Sequence, residues 1–119
     1  HKTGADGSVF QLLGVRPASE VDIERVQERL VYAMLNEAAM AMSEGVVRVP
    51  RDADIGAIFG IGFPPFRGGP LRTLDAIGAA EVVAKLERLE ATHGPRFRAA
   101  PVLEEMARIG GRWYPADGR

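Results

Sequence analysis

The stretch Asp54-Ile55-Gly56-Ala57-Ile58-Phe59-Gly60-Ile61-Gly62-Phe63-Pro64-Pro65-Phe66-Arg67-Gly68-Gly69-Pro70 decides how this chain is to be read. Its seventeen residues hold five glycines, three prolines and three phenylalanines. Glycine frees φ and proline fixes it, so a run this dense in both over-specifies its backbone. A solvated linker would be polar. Phe59, Phe63 and Phe66 instead predict a stiff, apolar loop that needs a partner surface.

The rest of the chain bounds what that surface can be. At 119 residues the sequence is one domain's worth of chain, 46% apolar and 26% charged, an ordinary soluble composition with enough apolar residues for a core. Fifteen basic residues against sixteen acidic leave a net charge of −1, so no overall field draws nucleic acid or an anionic membrane. The chain has no cysteine, which removes disulfides and thiolate metal sites and fits a reducing, cytoplasmic setting. No apolar run nears the ~20 residues of a membrane span. His1-Lys2-Thr3-Gly4 carries neither an initiator Met nor a signal-peptide pattern, as expected of a piece of something longer.

Outward from the decisive stretch, the pattern is helical throughout. Ser8 to Leu13 reads as a short helix capped by Ser8 and stopped by Gly14. The longest helix is expected from about Glu20 to Glu44, capped by Ser19 with Asp22 at the third position, and ended by Gly45. Ile23, Val26 and Leu30 share one face of its first half. From Leu30 to Met42 it is almost wholly apolar, so its second half should be buried on several sides. Val46 to Pro50 reads as an extended connector. A short helix opened by Arg51 or Asp52 should run to about Phe59. Gly69-Pro70 begins a helix that Gly78 stops, with proline at its favoured first position. Ala79 to His93 and Pro101 to Ile109 complete the set, each closed by glycine. The fold class is all-α, a single helical domain with one long central helix and several shorter ones.

Candidate chemistry is sparse. Gly60-Ile61-Gly62-Phe63-Pro64-Pro65 is not a dinucleotide loop, because proline stands for the third glycine and no strand precedes it. Gly68-Gly69-Pro70 at a helix start, with Arg67 and Arg72 nearby, admits a phosphate on free N–H groups, but the simpler reading is a turn. Asn36 and Glu37 interrupt an apolar helix and must find partners. They read either as a general base with its orienting amide or, preferred, as acceptors for the backbone of the glycine–proline loop. No histidine completes an acid–base pair: His1 is terminal and His93 closes a helix. Asp52, Asp54 and Asp75 lack metal-ligand spacing. Asp52 reads as a helix cap, Asp75 as a helix-surface or loop-anchoring carboxylate, and Trp113-Tyr114 as a tail packed on the core.

The runs Arg29-Leu30, Leu35-Asn36-Glu37-Ala38, Glu44-Gly45-Val46 and Arg51 to Gly56, with Gly60 to Pro70 and Leu74 to Gly78, resemble the C-terminal region of 3-hydroxyacyl-CoA dehydrogenase. The similarity is to the form found in the multifunctional alpha subunit of the bacterial fatty-acid oxidation complex, and it covers roughly residues 20 to 115. The resemblance implies a fold like the 6-phosphogluconate dehydrogenase C-terminal domain. It divides the chain into a connector with a short helix (1–18), the helical domain (19–115) and a polar tail (116–119). It also implies a parent with enoyl-CoA hydratase, NAD-binding Rossmann and two tandem helical domains, in which the first helical copy carries a catalytic Asn in an "NRL" motif. That Asn falls at Glu28 here, and Ile23 to Gln27 replace the "PGF" that normally precedes it. The chain therefore resembles the second, degenerate copy, with no catalytic, cofactor-binding or metal residue of its own and with NAD bound elsewhere in the parent.

On this reading the expected role is docking against the upstream helical, Rossmann and hydratase domains. A thiolase beta subunit is reached through the parent, and the isolated fragment is free to self-associate. The expected interface residues are Asn36, Glu37, Phe59, Gly60, Gly62, Phe63, Pro64, Pro65, Phe66, Gly68 and Gly69. The alternatives are direct acyl-CoA contact, with Arg67 or Arg72 on the CoA phosphates, and a free-standing helical protein-interaction module.

Overall fold

The computed structural model describes residues 6–16 and 20–116. Among the described residues six α-helices follow in order: α1 Gly7–Leu12, α2 Ile23–Ser43, α3 Pro50–Ile61, α4 Pro70–Ile77, α5 Ala79–His93 and α6 Pro101–Ile109. Short 3₁₀ turns occupy Pro65–Arg67 and Pro95–Phe97, and no strand occurs among the described residues. Helices α3, α4 and α6 each begin on a proline at the first helical position. There the missing N–H costs nothing and φ is already helical.

The core is the meeting of α2, α4, α5 and α6. Leu35 and Ala39 of α2, Leu74 of α4, Val82 and Leu86 of α5 and Leu103 of α6 have no appreciable exposure, and Phe63 is sealed among them. The spacing of four within Leu35 and Ala39 and within Val82 and Leu86 places each pair on one stripe of its helix.

Several expectations are corrected at the helix starts. Asp6 caps α1, its carboxylate accepting from the Ser8 amide at 3.0 Å, so Ser8 is the recipient and not the cap. Asp22 is itself the cap of α2, accepting from the Arg25 amide, which starts the helix at Ile23. The expected cap Ser19 lies outside the described residues. Helix α3 begins on Pro50, and Asp52 makes no capping bond, because Val49 in extended geometry followed by proline already sets the start.

The long helix is also less buried than its composition implies. Only Leu35, Asn36 and Ala39 are fully buried, while Ile23, Val26 and Leu30 are exposed. Among the described residues, α3 to α6 pack against this helix and leave Ile23 and Leu30 of its first half uncovered. The apolar stripe of its first half faces solvent here.

Candidate functional site

The Asp54–Pro70 stretch is not a loop for most of its length. Helix α3 continues through Gly56 and Gly60 to Ile61, and Gly62 ends it in the left-handed region with φ of 72°. Neither Gly56 nor Gly60 is crowded, since a Cβ at either would meet nothing within 4 Å. Only Gly62 to Pro64 and Gly68-Gly69 remain irregular, flanking the turn Pro65–Arg67.

The last glycine of the stretch is held by two constraints. Gly69 has φ of 108°, and a Cβ there would lie 2.3 Å from Cβ and 2.4 Å from Cγ of Asp54. That close approach lets the buried Asp54 carboxylate reach the start of α4. Its Oδ1 accepts from the Leu71 amide at 2.7 Å and its Oδ2 from the Arg72 amide at 3.3 Å. These are donors that a helix leaves unsatisfied at its N-terminus, and a carboxylate there also suits the helix dipole. The Tyr114 hydroxyl donates to Oδ2 at 2.6 Å. Asp54 thus clamps α3, α4 and the C-terminal tail together.

A second buried carboxylate completes the clamp. Asp75 accepts from the Trp113 and Tyr114 amides at 2.9 and 2.8 Å, and Arg72 stacks its guanidinium on the Tyr114 ring at 4.1 Å. The phenol of Tyr114 is raised well above its ordinary pKa, first by burial and then by the Asp54 carboxylate that takes its hydrogen bond. Asp75 is therefore a loop anchor, the second of its two sequence readings, and not a helix-surface carboxylate. For Asp54, by contrast, the sequence reading weighs only metal ligation. The signal that could have found it is the second carboxylate of helix Pro50–Ile61, placed where the helix turns apolar and upstream of a helix start, Gly69-Pro70, that has no capping side chain of its own.

The arrangement rules on two sequence readings. With the Leu71 and Arg72 amides taken by Asp54, the start of α4 offers no free N–H pair for a phosphate. Asn36 does not hold the glycine–proline stretch. Its amide donates to the Arg98 carbonyl at 2.9 Å and its carbonyl accepts from the Ala100 amide at 2.8 Å, fixing the entry to α6. Those two groups lie in a chain reversal that has no helix partner for them, and a side-chain amide supplies both a donor and an acceptor. Glu37 is exposed, not buried beside it.

The three phenylalanines part company. Phe63 is 1% exposed, whereas Phe59 and Phe66 are 86% and 85% exposed, with Ile61 at 68%. Arg67 leans over the Phe66 ring at 5.8 Å. Ile55 and Phe59, four apart, share one outer face of α3. On another side of the same helix, Met34, Ala38 and Ala41 of α2 and Gly56 and Ala57 of α3 line an apolar groove of ≈340 Å³ that ends at Pro70. Elsewhere, Glu28 of α2 is ion-paired with Lys85 of α5. His93 closes α5 with its ring 5.8 Å from that of Phe97.

With this geometry in hand, the chain can be set beside known proteins. Residues 26–112 match the family described as 3-hydroxyacyl-CoA dehydrogenase, C-terminal domain. The chain is 50% identical over 109 residues to the fatty acid oxidation complex subunit alpha of Shewanella amazonensis (strain ATCC BAA-1098 / SB2B). It is 47% identical over 113 residues to the protein of the same name from Shewanella sp. (strain ANA-3). These alignments take in 92% and 95% of this chain but 15% and 16% of the relatives, so the chain spans about a sixth of their length.

Proposed function

The chain belongs to the 3-hydroxyacyl-CoA dehydrogenase C-terminal domain family, and from that premise we propose that it is a non-catalytic docking domain of a fatty-acid oxidation alpha subunit. The observation that carries the proposal is the outward apolar display of Ile55, Phe59, Ile61 and Phe66 beside the α2–α3 groove. Large aromatic side chains left this open on a small domain mark an interaction surface. Their occupant is the remainder of the alpha subunit, since the relatives extend over about six times the aligned length. Bracing the domains that form the acyl-CoA site is then the domain's contribution, with NAD and hydratase chemistry supplied by those other domains. The Glu28–Lys85 ion pair supports the same reading. A carboxylate tied to a neighbouring helix stands where the resemblance places the family's catalytic Asn.

Acetoacetyl-CoA reduction by NADH tests the proposal. A Shewanella alpha subunit truncated of its matching C-terminal segment should reduce poorly, this chain alone and its Glu28→Asn variant should not reduce at all, and the mixture should recover activity. Reduction by the chain alone, or no recovery on mixing, would contradict the docking role.

A further inference from the structure

Helices α2 and α5 face each other across a second, charged groove of ≈150 Å³, which shares no residue with the α2–α3 groove or the outward apolar display. Arg25 and Arg29 line one side and Lys85 and Arg88 the other, with Glu28 as the single lining carboxylate and His93 at one end. Four cations against one anion is an unbalanced set. Arg25 and Arg29 are four apart and Lys85 and Arg88 three apart on their helices, spacings at which like charges repel.

The internal partners do not absorb this charge. Lys85 takes Glu28, and Arg25 has Asp22 at 3.9 Å with both side chains largely exposed. Among the described residues neither Arg29 nor Arg88 has a carboxylate within ion-pair distance. The Nε of Arg29 is moreover buried without a hydrogen-bond acceptor among the described residues, so that donor carries its desolvation cost uncompensated. The potential is felt at the end of the groove, where His93 is held below the ordinary imidazole pKa by desolvation and then by Arg29, Arg96 and Arg25.

We propose that the α2–α5 groove is an oxyanion site for a phosphate group, held chiefly by Arg29 and Arg88, with Arg25 at its rim. A guanidinium presents a planar fork of N–H donors that matches a phosphate bidentately, and two such forks on facing helices give a convergent site. The charge favours a dianion over a carboxylate, because one negative charge would leave the groove strongly positive. The volume, about five waters at ~30 Å³ each, admits a phosphate or diphosphate and leaves any organic moiety outside. Glu28 is the internal competitor, holding Lys85 while the groove is empty.

Titration of the chain at low ionic strength with inorganic phosphate and, separately, with ADP tests the site, followed calorimetrically and through the His93 imidazole resonances. Saturable binding is expected, with the His93 pKa rising as the positive field is neutralised. Arg29→Gln and Arg88→Gln should each weaken binding by about tenfold or more, the size of one charge-assisted hydrogen bond. Glu28→Gln should tighten it by releasing Lys85, and Arg108→Gln on α6 should leave it unchanged. Arg88 is exposed, so its variant is read without risk to folding. Binding of inorganic phosphate alone identifies a free-ion site, and binding of ADP in competition with phosphate identifies a phosphoester site. No saturable binding of either, or binding indifferent to both arginine substitutions, would overturn the proposal.

Discussion

Within one seventeen-residue stretch, Phe63 is 1% exposed while Phe59 and Phe66, four and three residues away, are 86% and 85% exposed. The inward side of the stretch carries Asp54, Phe63 and Gly69, and each is held by several contacts at once. Asp54 serves three donors, Phe63 fills the junction of the helices, and Gly69 leaves room for the Asp54 carboxylate. The outward side carries Ile55, Phe59, Ile61 and Phe66, together with glycines whose Cβ positions are open. A single motif thus builds a core on one side and a surface on the other. Its odd composition comes from serving both. The inward side should control stability and the outward side association, and substitutions can separate the two.

The largest expected effects are inward. Gly69→Ala forces a methyl into Asp54 and demands φ of 108° from a residue with a side chain. Melting of this variant should show losses of several kcal/mol, on the scale of the ~5–15 kcal/mol that holds a typical domain together. Phe63→Ala should cost about 3–5 kcal/mol by emptying a buried aromatic site. If both variants melt like the parent, the inward side has no structural role.

The clamp gives an intermediate effect with its own pH signature. Tyr114→Phe removes one hydrogen bond to a charged acceptor and should cost about 1.5–3 kcal/mol, read from denaturant midpoints at neutral pH. The folded state raises the Tyr114 pKa above its ordinary value of 10.0. A group so raised contributes fully below its unfolded pKa and loses that contribution as pH climbs toward the folded value. Stability of the parent should therefore hold up to about pH 10 and fall above it, and Tyr114→Phe should flatten that fall. Tyr32, raised by burial and then by Glu81, titrates with the same sign in both proteins and cancels in the comparison.

The smallest effect reverses sign between the two sides. Gly60→Ala in the open part of α3 should stabilise the isolated chain by about 0.5–1 kcal/mol, since glycine is a poor helix former and nothing occupies the Cβ position. A thermal melt reads this directly. Destabilisation would show that Gly60 is already constrained within the domain.

How far all this was legible in the sequence follows the locality of each signal. Helices α4, α5 and α6 were readable because proline at the first position and glycine at the end act within a residue or two. The sequence reading ends α3 at about Phe59 because Gly60 looks like a breaker, yet the cost of that glycine is small beside the packing of Ala57 and Ile58 on the core. The cap of α2 is ambiguous in sequence because Ser19 and Asp22 are both good cap residues three apart, and only the fold shows the Asp22 carboxylate meeting the Arg25 amide. Asp54, Asp75 and Asn36 bond to partners 17 to 64 residues away, so no window along the chain connects them. The exposed side of α2 was unreadable for another reason. Its apolar composition is that of a buried helix, and a sequence does not say how many neighbours a helix has.

The docking role rests on the outward side, and direct titration tests it best. The chain, its Phe59→Ser/Phe66→Ser variant and the Shewanella alpha subunit truncated of its matching segment would be studied by calorimetry. The parent chain should bind saturably, and the variant should bind at least about tenfold more weakly while keeping its melting temperature, as expected when exposed apolar anchors are lost without disturbing the fold. Equal binding by the two chains, or no binding by either, would contradict the account.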